Sequence, residues 1–413
     1  MQTGELDARS ERGRHWLELA LRHTEALRAG AAVHDRDATF PAEGFALLKR
    51  DGALALLVPG ELGGLGVERI RDWAAGLERL GRADPSLAIA LNMHLAASLS
   101  MTNAWRAARA RGDDTAAARS EGILRAIAEG RLVVCASATE AGTDFLRPLC
   151  TATRDGDAWV LEGRKLFVTL SPVADLCMLG VRVVDPAGDR LAFAFVPMNT
   201  PGFEPQNDWD ALGMRGSGSQ SIRLRGCRVP AGMLQAVGQW GRFDAGLLMG
   251  RTLSNLTLVA VFLGIAERAR ELAVAAALAQ SKPKHGGAIA HSAGVQHLLG
   301  EIDIELAGAR AILGVTLERL DDLLIARGGH VDDLETAHAC MRDYQAAKWI
   351  VNQSAIQIVS KAMDVCGGSA FMSGHELSRL YRDVRAGPFM QPFSPTEARE
   401  YVGRVALGLL PEG

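Results

Sequence analysis

The chain has 413 residues, of which 48% are hydrophobic and 23% are charged, and its formal net charge is −3. This composition is typical of a globular protein and excludes a disordered or fibrous one. Lys plus Arg (45) nearly balances Asp plus Glu (48), and the arginines are scattered, so no nucleic-acid partner is predicted. The length alone predicts two or three domains, at about 150 residues per domain.

The six cysteines are widely spaced and form no CxxC pair, which predicts neither a disulfide framework nor a metal site. We therefore expect a cytoplasmic protein. The polar N-terminal residues lack the apolar core of a signal peptide, and no membrane segment is predicted. The most apolar stretch, residues 256–278, contains Glu267, Arg268, Arg270 and Glu271, and this pattern predicts a buried helix of a bundle.

Residues 1–130 show apolar side chains at spacings of three and four, which predicts a helical domain. The string LVPGELGGLG at residues 57–66 interrupts this pattern. Four glycines and one proline in ten residues disfavour a helix, so this string is predicted to be a loop.

Residues 131–240 instead contain short apolar runs separated by turn sequences, which predicts a β domain. The sequence RDGD at residues 154–157 indicates a hairpin. The predicted strands include residues 132–135, 158–161, 176–181, 191–196 and 221–224.

Residues 241–413 return to a helical pattern. One seam of leucines and other apolar residues, in steps of three and four from Leu299 to Leu324, predicts a bundle or oligomer helix. The fold class is therefore α+β, in the order helical, β and helical.

Two strings far apart in the chain are informative together: TEAGTD at residues 139–144 and LYRDVR at residues 380–385. With this length and order of elements, the chain resembles the acyl-CoA dehydrogenase family of FAD enzymes. The resemblance implies an N-terminal helical domain (1–130), a middle β domain (131–240) and a C-terminal four-helix bundle (241–413).

In that family, two loops of the middle domain hold the isoalloxazine ring of FAD. TEAGTD resembles the first loop, and GRKLFVT at residues 163–169 resembles the second. By position, the resemblance assigns hydrogen bonds to the ring to Ala138, Thr139, Thr143 and Thr169, and packing on the ring to Phe167. The string WDALGMRGSGS at residues 209–219 resembles a third loop and adds Arg215 as a cofactor-binding candidate; a surface turn is the alternative.

The dinucleotide half of FAD is bound in the family partly by a neighbouring subunit. The resemblance assigns this role to Gly367 and Gly368, preceded by Asp364 where the family has glutamine, and to Gln296. The arginine and phenylalanine of the family's FAD clamp are absent, and Lys282 or Lys284 is left to supply positive charge. Weaker or exchangeable flavin binding and a homodimer or homotetramer are expected from this resemblance.

The family's catalytic glutamate is absent, and Gln391 stands at its usual position. An amide cannot serve as a general base near neutral pH. The other family location for a base, at about Ser254 and Asn255, also lacks an acid. Glu397 is the best remaining carboxylate, ahead of Glu140, Asp144 and Asp383, and His94 is a second candidate acid or base, with a core role as its alternative.

Three functions stay open at this point. The first is a FAD-dependent dehydrogenase that oxidises an acyl thioester, carried by CoA or a carrier protein, and passes electrons to an electron-transfer partner. The second is a two-component flavin monooxygenase of the same fold, supplied with reduced flavin by a separate reductase. The third is a degenerate paralogue that keeps the fold without catalysis.

Overall fold

The computed structural model describes residues 6–282 and 287–413, so Lys284 lies outside the described residues. Within them the chain is helical, then β, then helical again, which confirms the predicted order and fold class.

From residue 6 onward, the N-terminal region is built from six helices packed around buried tryptophans. The indole of Trp16 donates a hydrogen bond to the carbonyl of Trp73 at 3.2 Å, and both side chains are buried. Residues 57–66 form the predicted loop. The helices are α1 (Glu11–Arg22), α2 (Thr24–Asp37), α3 (Ala42–Arg50), α4 (Ile70–Ala83), α5 (Pro85–Ala110) and α6 (Asp114–Ala128).

The middle region is one eight-stranded sheet with the order β6-β7-β3-β2-β4-β5-β8, in which β1 also pairs with β4. The predicted hairpin is confirmed, because β2 and β3 are antiparallel and Asp155 faces Ala158. The strands are β1 (Val134–Ser137), β2 (Thr151–Asp155), β3 (Ala158–Val168), β4 (Leu176–Val183), β5 (Arg190–Pro197), β6 (Phe203–Pro205), β7 (Gln220–Pro230) and β8 (Leu234–Gln239).

One edge of β4 carries two strands in succession. β1 pairs in parallel with the first half of β4, and β2 pairs in parallel with its end, where Thr151 faces Arg182. The chain must therefore leave the sheet between β1 and β2. This detour, residues 138–150, contains the TEAGTD string.

Strand β3 is irregular at two places that its sequence explains. Gly163 has a φ of 136°, and a Cβ atom there would lie 2.4 Å from the Sγ of Cys150, so only glycine fits. A second register shift between Lys165 and Val168 includes Phe167, whose φ is 52°. A bulge of this kind redirects a side chain, and the ring of Phe167 is 55% exposed.

The described residues of the C-terminal region, 241–282 and 287–413, form three long helices and two short ones. Contacts of α7 with α9 join Thr252 to Met341 and Leu272 to Cys366, so these helices run parallel, and α4 also packs along α7. The buried side chains of α8 follow the predicted seam. The helices are α7 (Ala245–Ala279), α8 (Ala293–Ala326), α9 (Leu334–Cys366), α10 (Glu376–Asp383) and α11 (Pro395–Ala406), with a small hairpin of β9 (Ser281–Lys282) and β10 (Gly287–Ala288).

Helix α7 is long and apolar enough to cross a membrane, and it alone meets that criterion among the described residues. However, 83% of its most apolar stretch is buried inside the protein. The prediction of a buried bundle helix for residues 256–278 is therefore confirmed.

Candidate functional site

The first two motif loops lie against each other. The backbone N–H of Leu166 donates to the carbonyl of Thr139 at 2.9 Å, and the hydroxyl of Ser137 donates to the carbonyl of Leu166 at 2.9 Å. The TEAGTD loop is thus fixed to the end of β3, beside Phe167.

A buried ion pair also holds the TEAGTD loop against β3. Glu140 pairs with Lys165 of β3, and both side chains are buried. The other carboxylate oxygen of Glu140 accepts hydrogen bonds from the backbone N–H groups of Leu149 (2.8 Å) and Cys150 (3.0 Å). Because a buried charge needs such partners, the acid of the TEAGTD string has a structural role.

The third loop joins the second through a chain of hydroxyl groups. Thr169 and Ser219 lie 2.7 Å apart at their hydroxyl oxygens, and Ser219 and Ser217 are also 2.7 Å apart. Three hydroxyl protons serve only two hydrogen bonds here, so one proton remains for a bound group.

Phe167 presents an aromatic surface at the same place. Its ring stands edge-on to Trp209, with 5.9 Å between centroids and an interplanar angle of 87°. The indole N–H of Trp209 donates to the carbonyl of Met214 at 3.1 Å, which fixes the ring pair to the third loop.

Arg215 points away from these loops. Its guanidinium donates to the carbonyl of Asp35 in α2 at 2.7 Å and pairs with Asp210 at 3.1 Å. These contacts attach the third loop to the N-terminal helices, so the arrangement supports a structural role instead of the predicted contact with the cofactor.

The consecutive residues Arg382 and Asp383 in α10 also attach the third loop to the N-terminal helices. Arg382 pairs with Asp35, and Asp383 accepts a hydrogen bond from the backbone N–H of Met214 at 2.6 Å. Burial raises the pKa of Asp383 to about 6, and Arg379, at 3.6 Å, acts in the opposite direction. The motif thus connects all three regions of the chain.

Gln391 reaches the first loop from the C-terminal region. Its side-chain amide donates to the hydroxyl of Thr139 at 3.0 Å. Thr139 therefore uses an acceptor lone pair for Gln391 and keeps its own proton for another partner.

Two residues of α9, which the sequence analysis did not identify, hold the segment that carries Gln391. The hydroxyl of Tyr344 donates to the carbonyl of Gln391 at 2.6 Å. The ammonium of Lys348 donates to the carbonyls of Met390 and Phe393, the latter at 2.8 Å. Both side chains are buried, and burial lowers the pKa of Lys348 to about 7. The sequence signal that could have identified them is their spacing of four residues, which places both side chains on one face of the helix.

The remaining candidate acids are occupied by structural contacts. Asp144 accepts from the backbone N–H of Leu146 at 2.8 Å and pairs with Arg147. Glu397 is exposed and caps α11 by accepting from the backbone N–H of Ser394 at 2.8 Å. Thr143 also turns inward, because its hydroxyl donates to the carbonyl of Arg147.

His94 is fully buried and uses both ring nitrogens. Nδ1 accepts from the backbone N–H of Val134 at 3.0 Å, and Nε2 lies 3.1 Å from the carbonyl of Leu54 and therefore carries the proton. Burial lowers the pKa of this imidazole to about 4. The geometry agrees with the alternative of a satisfied core histidine and argues against catalysis.

The candidates for the dinucleotide half lie elsewhere. Asp364, Gly367 and Gly368 are exposed at the end of α9, beside Gln280 after the last turn of α7. Gln296 lies at the start of α8 and donates to the carbonyl of Ala290 at 2.9 Å. The first loop contacts α7 at Arg251, whereas Cys366, beside this group, contacts α7 at Leu272, 21 residues later, so the group lies about 30 Å along the helix from the first loop.

The donor set fits a flavin ring. The hydroxyl of Thr139 has a proton to donate, and so do the hydrogen-bonded hydroxyls that begin at Thr169. The backbone at Ala138, next to Thr139, is partly buried, and Phe167 offers an exposed aromatic face. A flat ring with one polar edge requires this combination of donors and apolar surface.

Comparison with known proteins agrees with this geometry. The family descriptions "Acyl-CoA dehydrogenase, N-terminal domain", "middle domain" and "C-terminal domain" match residues 22–107, 134–227 and 246–391. L-evernosamine nitrososynthase of Micromonospora sp. is 35% identical over 96% of this chain and 91% of its own length. Amino sugar nitrososynthase RubN8 of Streptomyces rubradiris is 35% identical over 96% of this chain and 90% of its own length.

A solved structure is equally similar. It is that of a KijD3 in complex with FMN and dTDP-3-amino-2,3,6-trideoxy-4-keto-3-methyl-D-glucose, with a TM-score of 0.90 and 35% identity, and the match covers 100% of this chain and 98% of that chain. Three matching domains in order and relatives matched over nearly their full length leave one assignment: this chain belongs to the acyl-CoA dehydrogenase family, in an atypical branch that includes nitrososynthases.

Proposed function

We propose that this protein is a flavin-dependent monooxygenase that oxidises the amine nitrogen of a nucleotide-linked amino sugar. The observation that carries the proposal is the amide of Gln391, hydrogen-bonded to Thr139 at the position where the family has its glutamate base. The relatives at 35% identity are named for nitrososynthase activity, and the similar solved structure contains a dTDP-linked amino sugar; together they supply the substrate class.

Oxidation of an amine does not require a base that removes a proton from carbon. An unprotonated amine is itself the nucleophile, whereas desaturation of an acyl thioester requires a group that removes an α-proton. In the described part of the chain, the acids Glu140, Asp144, Asp383 and Glu397 are all held by structural partners. The fold therefore agrees with the expected acyl-thioester substrate, but no residue has been identified that would accept its α-proton.

The reaction balances with dioxygen and reduced flavin as co-reactants. When bound, reduced flavin supplies two electrons to dioxygen, so that one oxygen atom enters the N–H bond as a hydroxylamine and the other leaves as water. A second round consumes another dioxygen and another reduced flavin, and it converts the hydroxylamine to a nitroso group with release of two waters. A separate flavin reductase is the electron-supplying partner in this proposal.

The chain's own residues have positioning roles in this reaction. Thr139 and Thr169 donate hydrogen bonds to the polar edge of the ring, and Phe167 packs on it. Gln391 offers an amide donor and an acceptor close to that ring, and these orient the amine without taking its proton. We further propose that Asp364, Gly367, Gly368 and Gln296 complete the FAD site of a neighbouring subunit in a homodimer or homotetramer.

The test supplies the purified protein with a flavin reductase, NADH, FMN or FAD, and a dTDP-linked 3-amino sugar in air. We expect products that carry one oxygen atom on nitrogen, labelled when the reaction is run under isotopically heavy dioxygen. Omission of the reductase is the control. If acyl-CoA thioesters instead bleached the protein-bound flavin without oxygen, and the amino sugar gave no product, the dehydrogenase would be the correct function.

A further inference from the structure

Arg251 is a cation on the wall of the candidate site. It lies in the second turn of α7, and its guanidinium carbon is 5.3 Å from the centroid of the Phe145 ring. Phe145 belongs to the 138–150 detour and contacts Phe393, two residues after Gln391, with 6.4 Å between ring centroids. The guanidinium thus lies where α7, the first loop and the Gln391 segment meet.

The chain provides no anion for this guanidinium. Within residues 6–282 and 287–413, the Arg251 side chain makes no hydrogen bond or ion pair, although its backbone carbonyl accepts from Asn255 at 2.8 Å. The acids of the adjoining detour, Glu140 and Asp144, are paired with Lys165 and Arg147. Burial lowers the pKa of Arg251 to about 10, with no charged neighbour to offset it, so the group remains cationic at neutral pH.

Other arginines of the same helix are paired. Arg268 binds Glu376 through two nitrogens at 3.0 and 2.8 Å, and Arg270 binds Asp303. Arg251 is only half-buried, so a ligand can reach its guanidinium, and a single cation–π contact offsets only part of the cost of its partial desolvation. The absence of a counter-ion at Arg251, beside the candidate site, therefore points to an anion that arrives with a ligand.

We infer that Arg251 binds a phosphate oxyanion of a ligand in the candidate site. A planar guanidinium presents two parallel N–H groups, which match two oxygens of one phosphate. The inference rests on the proposed function, because a nucleotide-linked amino sugar carries a diphosphate. The phosphate of the flavin has the same chemistry and is the alternative group that Arg251 would bind.

The test compares Arg251→Met and Arg251→Lys with the wild type, with Arg270→Met as the control from the same helix. Calorimetry measures binding of dTDP alone, and fluorescence quenching measures binding of FMN. We expect Arg251→Met to weaken dTDP binding by about 30-fold or more, the usual range for loss of one member of a desolvated charge pair. FMN affinity should stay within about two-fold, Arg251→Lys should be intermediate because it keeps the charge, and Arg270→Met should match the wild type.

Each outcome decides the inference. A loss confined to FMN supports phosphate binding and identifies the flavin as its source. Unchanged affinity for both probes in a folded Arg251→Met protein, as judged by circular dichroism, overturns the inference. If the wild type itself does not bind dTDP, the proposed substrate class fails separately, and the FMN measurement alone then decides the role of Arg251.

Discussion

The side-chain amide of Gln391 donates a hydrogen bond to the hydroxyl of Thr139, with 3.0 Å between Nε2 and Oγ1, and so joins two segments that are 252 residues apart in sequence. The bond places an amide where the family has a carboxylate. It also orients the hydroxyl of Thr139, whose own proton is then available to a flavin.

Replacement of Gln391 by alanine should therefore cost little in rate. We expect Gln391→Ala to retain at least about one tenth of the N-oxidation rate, because loss of an orienting group is mild, whereas loss of a general acid or base costs about 10²–10⁴-fold. Steady-state kinetics with the amino sugar measure this, and Gln235→Ala, at an exposed position of the edge strand β8, is the control. A loss of more than a hundredfold would show that Gln391 takes part in proton transfer.

Removal of the Thr169 hydroxyl should weaken flavin binding. Thr169→Val keeps the volume but removes the hydroxyl that contacts Ser219 and that we propose donates to the flavin ring. We expect at least about tenfold weaker FMN and FAD binding in a fluorescence titration, since a buried hydrogen bond is lost. Thr153→Val, at an exposed position of β2, is the matched control. Full retention of affinity in Thr169→Val would refute this placement of the ring.

Lys348 should make stability depend on pH. Its pKa is lowered from the ordinary 10.5 to about 7 by burial. Between these values the unfolded chain binds a proton that the folded chain does not. The free energy of unfolding of the wild type, relative to Lys348→Met, should therefore rise with pH from about 7 to about 10, by up to ~1.4 kcal/mol per pH unit.

Urea unfolding of both proteins at several pH values measures this slope. Lys361→Met, which removes a lysine whose pKa is raised by Glu301 and Glu305, should show no comparable slope over most of that window. A difference between wild type and Lys348→Met that is constant from pH 7 to 10 would show that Lys348 is not held in a desolvated site.

His94 should be needed for stability and not for turnover. His94→Leu leaves the backbone N–H of Val134 and the carbonyl of Leu54 without partners, and we expect a loss of about 2–4 kcal/mol. The variant should also lack the loss of stability that the wild type shows as pH falls from 6.5 towards 4, where the unfolded imidazole binds a proton first.

The same variant separates the two roles of His94. The N-oxidation rate per folded molecule should stay within about two-fold of the wild type, and His15→Leu, at an exposed position of α1, is the control for stability. A stable His94→Leu protein with a greatly reduced rate would favour the acid or base role instead.

Features encoded by neighbouring residues were predictable from the sequence. The hairpin at residues 154–157, the buried helix at 256–278 and the seam of α8 follow from turn chemistry and from spacing, which act over a few residues. The missing glutamate at Gln391 was visible in the same way. Strand β2 was implied only as one arm of the hairpin, and β6 and β8 were not predicted, because neither has a clear alternation of apolar and polar residues.

The partners of polar groups were decided only by the tertiary structure. Nothing near Gln391 in sequence indicates Thr139, and nothing near Arg215 indicates Asp35. The buried Lys348 and the unpaired Arg251 depend on which elements enclose them. Sequence alone therefore determined the order of elements and the residue types in the motifs, whereas long-range packing decided which of those residues face a ligand and which hold the fold, because desolvation and hydrogen bonding depend on neighbours brought together from distant parts of the chain.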